Sequence, residues 1–302
     1  MQFFAITGLT WARWIILAQS EISTISTTST SPRSRVPGMR RAAVWLASIP
    51  IAAYLAVITL VYFRQESLIF HPVTLPADFR FSFPGVEEKA VQVSGATLSA
   101  LHLRLPNPNG VVFFLHGNAG NLQSWFTSAE FYRRTNFDLF ILDYRGFGKS
   151  TGSIDSEAQL HADVRAAWDS VASQYADKKR VIYGRSLGTG LAAKLAVDVQ
   201  PDLTVLVSPY VSLAQMGKLH YPWLPELIMR YSLRTDEWLP MIKRPVFILH
   251  GDLDSVIPIQ QGEQLKQMRG GSEMLAVKGA GHNDIQKFPA YLDGLAERLQ
   301  RL

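Results

Sequence analysis

Residues 181–190 read VIYGRSLGTG. Val181, Ile182 and Tyr183 form a short apolar run that leads straight into Ser186, with Gly184 two positions before the serine and Gly188 two positions after. The run has the composition of a buried strand, and LGTGLAAKLAVDVQ (187–200) that of a helix. A residue on so sharp a strand-to-helix turn holds strained backbone, and its neighbours must be small to make room. The free N–H groups at the start of the helix then face any negative charge that develops beside the serine. The stretch therefore predicts Ser186 as a nucleophile perched on a turn.

Working outward, the same apolar-run-plus-polar-tip pattern recurs. VVFFLHG (111–117), FDLFILDYRG (137–146), TVLVSPY (204–210), PVFILHGD (245–252) and EMLAVKGAGH (273–282) read as buried strands, as does RVIYGRS (180–186) itself. Helical stretches such as SEAQLHADVRAAWDSVASQY (156–175) separate them. Strands alternating with helices imply right-handed crossovers, hence an α/β fold with a mostly parallel sheet flanked by helices. VSGATLSALHLRLP (93–106) predicts an antiparallel pair at one edge. Polar tips then gather at the carboxyl ends of the strands, where such sheets carry their sites. The connection 211–244 is too long for a plain crossover and rich in aromatics and prolines, so it is expected to form a lid.

A second serine competes. GKSTG (148–152) sets Ser150 between Gly148 and Gly152, but it lies several residues past its strand, inside a loop. The same loop tempts with nucleotide motifs. GFGKST lacks the leading glycine of a phosphate-binding loop, because Asp143 stands there, and Gly146, Gly148 and Gly152 miss the dinucleotide spacing.

A serine hydroxyl needs a base. His71, His102, His161 and His220 fall before the sheet core, on a strand, on a helix face and in the expected lid. His116 and His250 sit in Leu-His-Gly tips, which brace loops. His282 ends VKGAGHND beyond the last strand, in a loop freed by glycines, and is the expected base. HGDLDSVIP (250–258) supplies the acid, with Asp252 and Asp254 tied on spacing alone. Backbone N–H groups for an oxyanion are expected from Leu187, just after the serine, and from Asn118 in LHGNAGN, with Ala119 second.

Taken as a set, FFLHGNAGN, DYRGFGKSTG, YGRSLGTG, HGDLDSVIP and GAGHND resemble the α/β-hydrolase superfamily, and most of all its membrane-anchored serine hydrolases, which include acyl-protein thioesterases and monoacylglycerol-lipase-like proteins and overlap the serine-aminopeptidase type. RQESLIFHP (64–72) resembles that branch too. The resemblance covers roughly residue 66 to residue 302. It implies the α/β-hydrolase fold and the chain order serine, acid, histidine. Its His-Gly-x-x-Asp pattern selects Asp254 as the acid, with Ser186 as nucleophile and His282 as base. It implies hydrolysis of an ester or thioester on a small-molecule or lipid-like acyl substrate, without metal or other cofactor. A serine aminopeptidase, or a tethered binding module that has lost turnover, are the alternatives.

The N-terminal part reads differently. AAVWLASIPIAAYLAVITLVYF (42–63) holds no charge. At about 1.5 Å per residue it spans roughly 30 Å, a bilayer core, and Pro50 is tolerated there. The expectation is one transmembrane helix. A cleaved leader fits poorly, because the run is long and no small-x-small site follows it. Arg33, Arg35, Arg40 and Arg41 precede the span and Arg64 follows. The positive-inside rule then puts the N-terminus in the cytoplasm and the body outside it, periplasmic in a bacterial inner membrane. Residues 1–41 are expected to be a disordered extension, with translation starting either at Met1 or at Met39. The net charge of +5 leaves no basic stripe with interleaved aromatics downstream, so nucleic acid is not an expected partner. The absence of cysteine excludes disulfides, thiolate metal sites and a cysteine nucleophile.

Overall fold

The computed structural model describes residues 37–127 and 129–302. The expected extension therefore lies largely outside the described residues. A single long helix, α1, runs Pro37–Phe63. It starts five residues ahead of the uncharged run, because Pro37 suits a first helical turn and Arg40 and Arg41 are good helix formers. Trp45–Phe63 is long and apolar enough to cross a membrane, and Leu46, Ile49, Leu55 and Leu60 are exposed along it.

Residues 53–302 form the body. Its main sheet has eight strands: β1 Val86–Val93, β2 Ala96–Leu103, β3 Gly110–Leu115, β4 Phe137–Leu142, β5 Lys179–Arg185, β6 Leu203–Val207, β7 Val246–Gly251 and β8 Glu273–Val277. Their spatial order is β1-β2-β4-β3-β5-β6-β7-β8. Only β2 runs against its neighbours, antiparallel to β1 and β4; the remaining pairs are parallel. Strands β3, β4, β6 and β7 are buried along their whole length, as expected of a sheet covered on both faces. Two apolar clusters fill those faces, one around Phe113, Trp168 and Leu191, the other around Phe131, Val205 and Leu295.

The edge hairpin differs from its sequence reading. Residues 93–106 hold only its turn, at Ser94 and Gly95, and its second strand; the first strand, VEEKAVQV, lies upstream. Being solvated on most positions, β1 lacks the apolar alternation that marks the other strands. The long connection folds into a helix, Leu213–His220, two single 3₁₀ turns and a short helix, Thr235–Trp238.

One buried histidine is expected to make the fold acid-sensitive. His102 on β2 is 1% exposed, and its Nε2 lies 2.8 Å from the hydroxyl of Tyr175, which in turn donates to Asp138. Nδ1 has no partner among the described residues. Burial, then the charges of Arg104 and Lys89, push its pKa down to about 4, well below the ordinary imidazole value. The unfolded chain thus takes up this proton first, and stability present above pH ~6.5 is lost as pH falls toward ~4, by about 3 kcal/mol at most. Urea unfolding at pH 7 and pH 4.5 should show this loss in the wild type and a smaller one in His102→Leu. Equal acid losses in the two proteins would remove His102 as the cause.

Candidate active site

Ser186 follows β5 directly, and the helix Gly188–Val199 starts two residues later. The serine holds φ +53°, a region that costs an L-residue about 1 kcal/mol or more. Its N–H donates to the carbonyl of Val207 (2.9 Å), and its carbonyl accepts from the Thr189 N–H (2.9 Å) and the Thr189 hydroxyl (2.7 Å), so the strained turn is pinned from both sides. The flanking glycines are there for space. A Cβ on Gly184 would sit 2.4 Å from the Gly188 carbonyl oxygen, and one on Gly188 2.1 Å from that of Leu115.

His282 lies beyond β8. Its Nε2 is 3.0 Å from Ser186 Oγ and its Nδ1 is 2.8 Å from Asp254 Oδ2. Asp254, past the tip of β7, is buried and accepts at Oδ1 from the N–H groups of Val256 (3.0 Å) and Ile257 (2.8 Å). Burial pushes its carboxyl up, but the hydrogen bonds from His282 and Ile257 outweigh that and hold it below the ordinary carboxylate value. Asp254 thus stays ionised and favours the tautomer with hydrogen on Nδ1, leaving Nε2 free to accept the serine proton. Asp252, tied with it on spacing, instead accepts from the Gly279 N–H (2.6 Å) and braces the loop that carries His282.

The rival serine is accounted for otherwise. Ser150 is buried, donates to the Asp143 carbonyl (2.8 Å) and accepts from the Ser99 N–H (2.8 Å), so it closes a loop. Gly146, Gly148 and Gly152 all have positive φ, which is why they are glycines. His116 and His250 are fully buried at their strand tips, the latter donating from Nε2 to the Ile257 carbonyl (2.8 Å). The N–H groups of Asn118 and Leu187 have no backbone acceptor among the described residues. Leu187 directly follows the serine. Asn118 is held in place by its side chain, which donates to the Ile69 carbonyl (2.9 Å), and by its own carbonyl, which accepts from the His71 N–H (2.7 Å).

Arg185 and Trp125 were not singled out by the sequence. Arg185 is buried, donates to the His282 carbonyl (3.0 Å) and lies 5.3 Å from the centre of the Trp125 ring. Trp125 in turn donates to the Ala119 carbonyl (2.7 Å) and stacks on His116. One cation therefore ties the strand bearing the serine to both loops around it. A cavity of about 350 Å³, lined by Phe114, Trp125, Tyr132, Leu139, Arg185 and Asn283 among others, adjoins this junction. A glycine-serine pattern flags neither residue, since their roles depend on contacts across the sheet. Among the described residues no group of acids and histidines is arranged to hold a metal ion.

Comparison with known proteins agrees with this architecture. Residues 106–241 match the sequence family described as "Serine aminopeptidase, S33". An uncharacterized protein of Mycobacterium tuberculosis is 32% identical over 262 residues, spanning 82% of this chain and 91% of that one. Alpha/beta hydrolase domain-containing protein 17B of Homo sapiens is 31% identical over 198 residues, 64% of this chain and 67% of that one. An esterase from Pyrococcus furiosus superposes with a TM-score of 0.62 at 19% identity, over 77% of this chain and 97% of the other. The fold and site define an α/β enzyme with its polar groups at the carboxyl ends of a mostly parallel sheet. The chain belongs to the α/β-hydrolase superfamily, and it is a hydrolase.

Proposed function

We propose that the protein is a membrane-anchored serine hydrolase that cleaves acyl esters or thioesters through an acyl-enzyme. The observation that carries this reading is the run of hydrogen bonds from Ser186 through His282 to Asp254, set on a strained turn. In this mechanism His282 Nε2 takes the hydroxyl proton as Ser186 Oγ bonds to the acyl carbon. The N–H groups of Leu187 and Asn118 receive the negative oxygen. The tetrahedral adduct collapses, and His282 gives the proton to the departing alcohol or thiol. Water then attacks the acyl-enzyme with His282 again as base, which releases the carboxylic acid and restores the serine. Every step uses protein groups and water.

A fluorophosphonate probe should bond to Ser186 in the folded protein, mapped by peptide mass spectrometry. An intact protein that takes no probe is the signature of a binding module. The family description favours a second reading, an aminopeptidase. Acyl thioesters and aminoacyl amides compared as substrates separate the two. A thioesterase domain from the curacin biosynthetic pathway and the Pyrococcus esterase share the fold, and the two bond types those enzymes are named for are the ones we favour here.

In the same reading α1 crosses a membrane once, with the basic residues before it cytoplasmic and the body on the far side. A C-terminal tag should then be cut by protease added outside intact spheroplasts. Full protection of the tag would reverse this sidedness.

A further inference from the structure

We propose that the segment 219–230 is a second membrane contact, seated among the lipid acyl chains beside α1. This rests on the reading of α1 as a membrane span. Two contacts fix the course of the segment. The Tyr54 hydroxyl donates to the Trp223 carbonyl (3.0 Å), and the Arg230 guanidinium lies 5.8 Å from the centre of the Tyr62 ring. The two tyrosines are eight positions apart on the helix, about 12 Å at the usual rise. The chain from Trp223 to Arg230 therefore runs back along the last turns of α1, with Trp223 at the deeper end. A crossing that begins after Arg41 and takes about 20 residues ends near Val61, which places Tyr54 roughly 10 Å inside the hydrocarbon. Trp223 sits at the same level.

The segment is built for that level. Leu219, Tyr221, Trp223 and Leu227 are exposed, Leu227 at 96%, an arrangement that is unfavourable in water and favourable against lipid. Irregular backbone at such depth needs internal partners. Pro222 and Pro225 have no N–H to satisfy. The N–H groups of Tyr221, Leu224, Ile228 and Met229 donate to local carbonyls. Gln65, buried two residues past the end of α1, donates to the Ile228 carbonyl (2.7 Å) and accepts from the Arg230 N–H (2.8 Å). At the shallow end Arg230 pairs with Glu66 (2.7 Å), where headgroups would lie. The charged pair Lys218–Glu226 (3.5 Å) has stems long enough to reach toward the same level, which keeps the segment in the outer part of the leaflet.

This placement names the substrate class. His220 donates from Nε2 to the Val256 carbonyl (3.1 Å), and the Val256 N–H donates to Asp254. The first residues of the segment are thus joined to the loop that carries the acid. The site faces amphiphiles whose acyl chain is still in the bilayer, rather than dissolved esters.

The chain has no cysteine, so single cysteines can be placed without background. The full chain with Leu227→Cys, spin-labelled and reconstituted in phosphatidylcholine vesicles, should collide with oxygen in preference to a water-soluble nickel chelate. The oxygen-to-nickel ratio should be at least about tenfold that of Gly270→Cys, whose site has open space around it. Val57→Cys on α1 supplies the lipid reference. If Leu227→Cys behaves as Gly270→Cys while Val57→Cys is lipid-facing, the second contact is wrong and the anchor stands. If Val57→Cys is also water-exposed, both fall.

Discussion

A Ser186→Ala enzyme is expected to fold as the wild type does and to lose at least about 10⁴-fold in kcat. The fold should be indifferent, because the turn is held by backbone: the Ser186 N–H on Val207 and its carbonyl on Thr189 survive the substitution. The hydroxyl's contact is with His282, so its removal takes away chemistry and little else. Thermal unfolding should therefore stay within about 2 °C. Ser186→Ala/His282→Ala should be no slower than either single variant, since the two side chains act as one unit. Retention of more than a hundredth of wild-type kcat by Ser186→Ala would place the nucleophile elsewhere.

Gly188→Ala is expected to do the reverse and damage the fold. The added methyl would meet the Leu115 carbonyl oxygen at 2.1 Å and that of His116 at 2.7 Å, both backbone. Neither can turn aside as a side chain could, so β3 and the helix after Ser186 must separate. Overpacking of this kind costs about 3 kcal/mol or more. At roughly 2–4 °C per kcal/mol for a body of this size, the midpoint should fall by about 10 °C, or the protein should fail to accumulate. Gly270→Ala, in open space, is the control and should change nothing measurable. A Gly188→Ala protein as stable as the control would mean that the turn has room to move.

Much of this was legible because the informative residues carry local signals. The strand stretches at 111–117, 137–146 and 180–186 each carry an apolar run ahead of a polar tip, as a doubly covered sheet requires, and so they stand out. Ser186 announces itself through glycines whose absence of side chain is visible in the letters. The spatial order was not legible: β4 inserts between β2 and β3 through pairings that no window of sequence contains. The edge strand β1 was missed because solvated VEEKAVQV carries no burial pattern. Asp252 and Asp254 were tied on spacing and separated only by the resemblance, because the difference lies in the chain's course after β7: one carboxylate turns to Gly279 and the other to His282. Arg185 escaped for the same reason, as its partners lie 97 residues away at His282 and across the sheet at Trp125.

The placement of His282 beyond the final strand has a consequence for biogenesis. Ser186 is synthesised nearly a hundred residues before His282, its base in the proposed mechanism. A nascent chain, whether emerging from the ribosome or threading a translocon, carries an unarmed hydroxyl until β8 has docked beside β7. In the proposed mechanism hydrolytic power thus arrives only once β8 and the loop after it have been made, and products terminated before His282 lack the base.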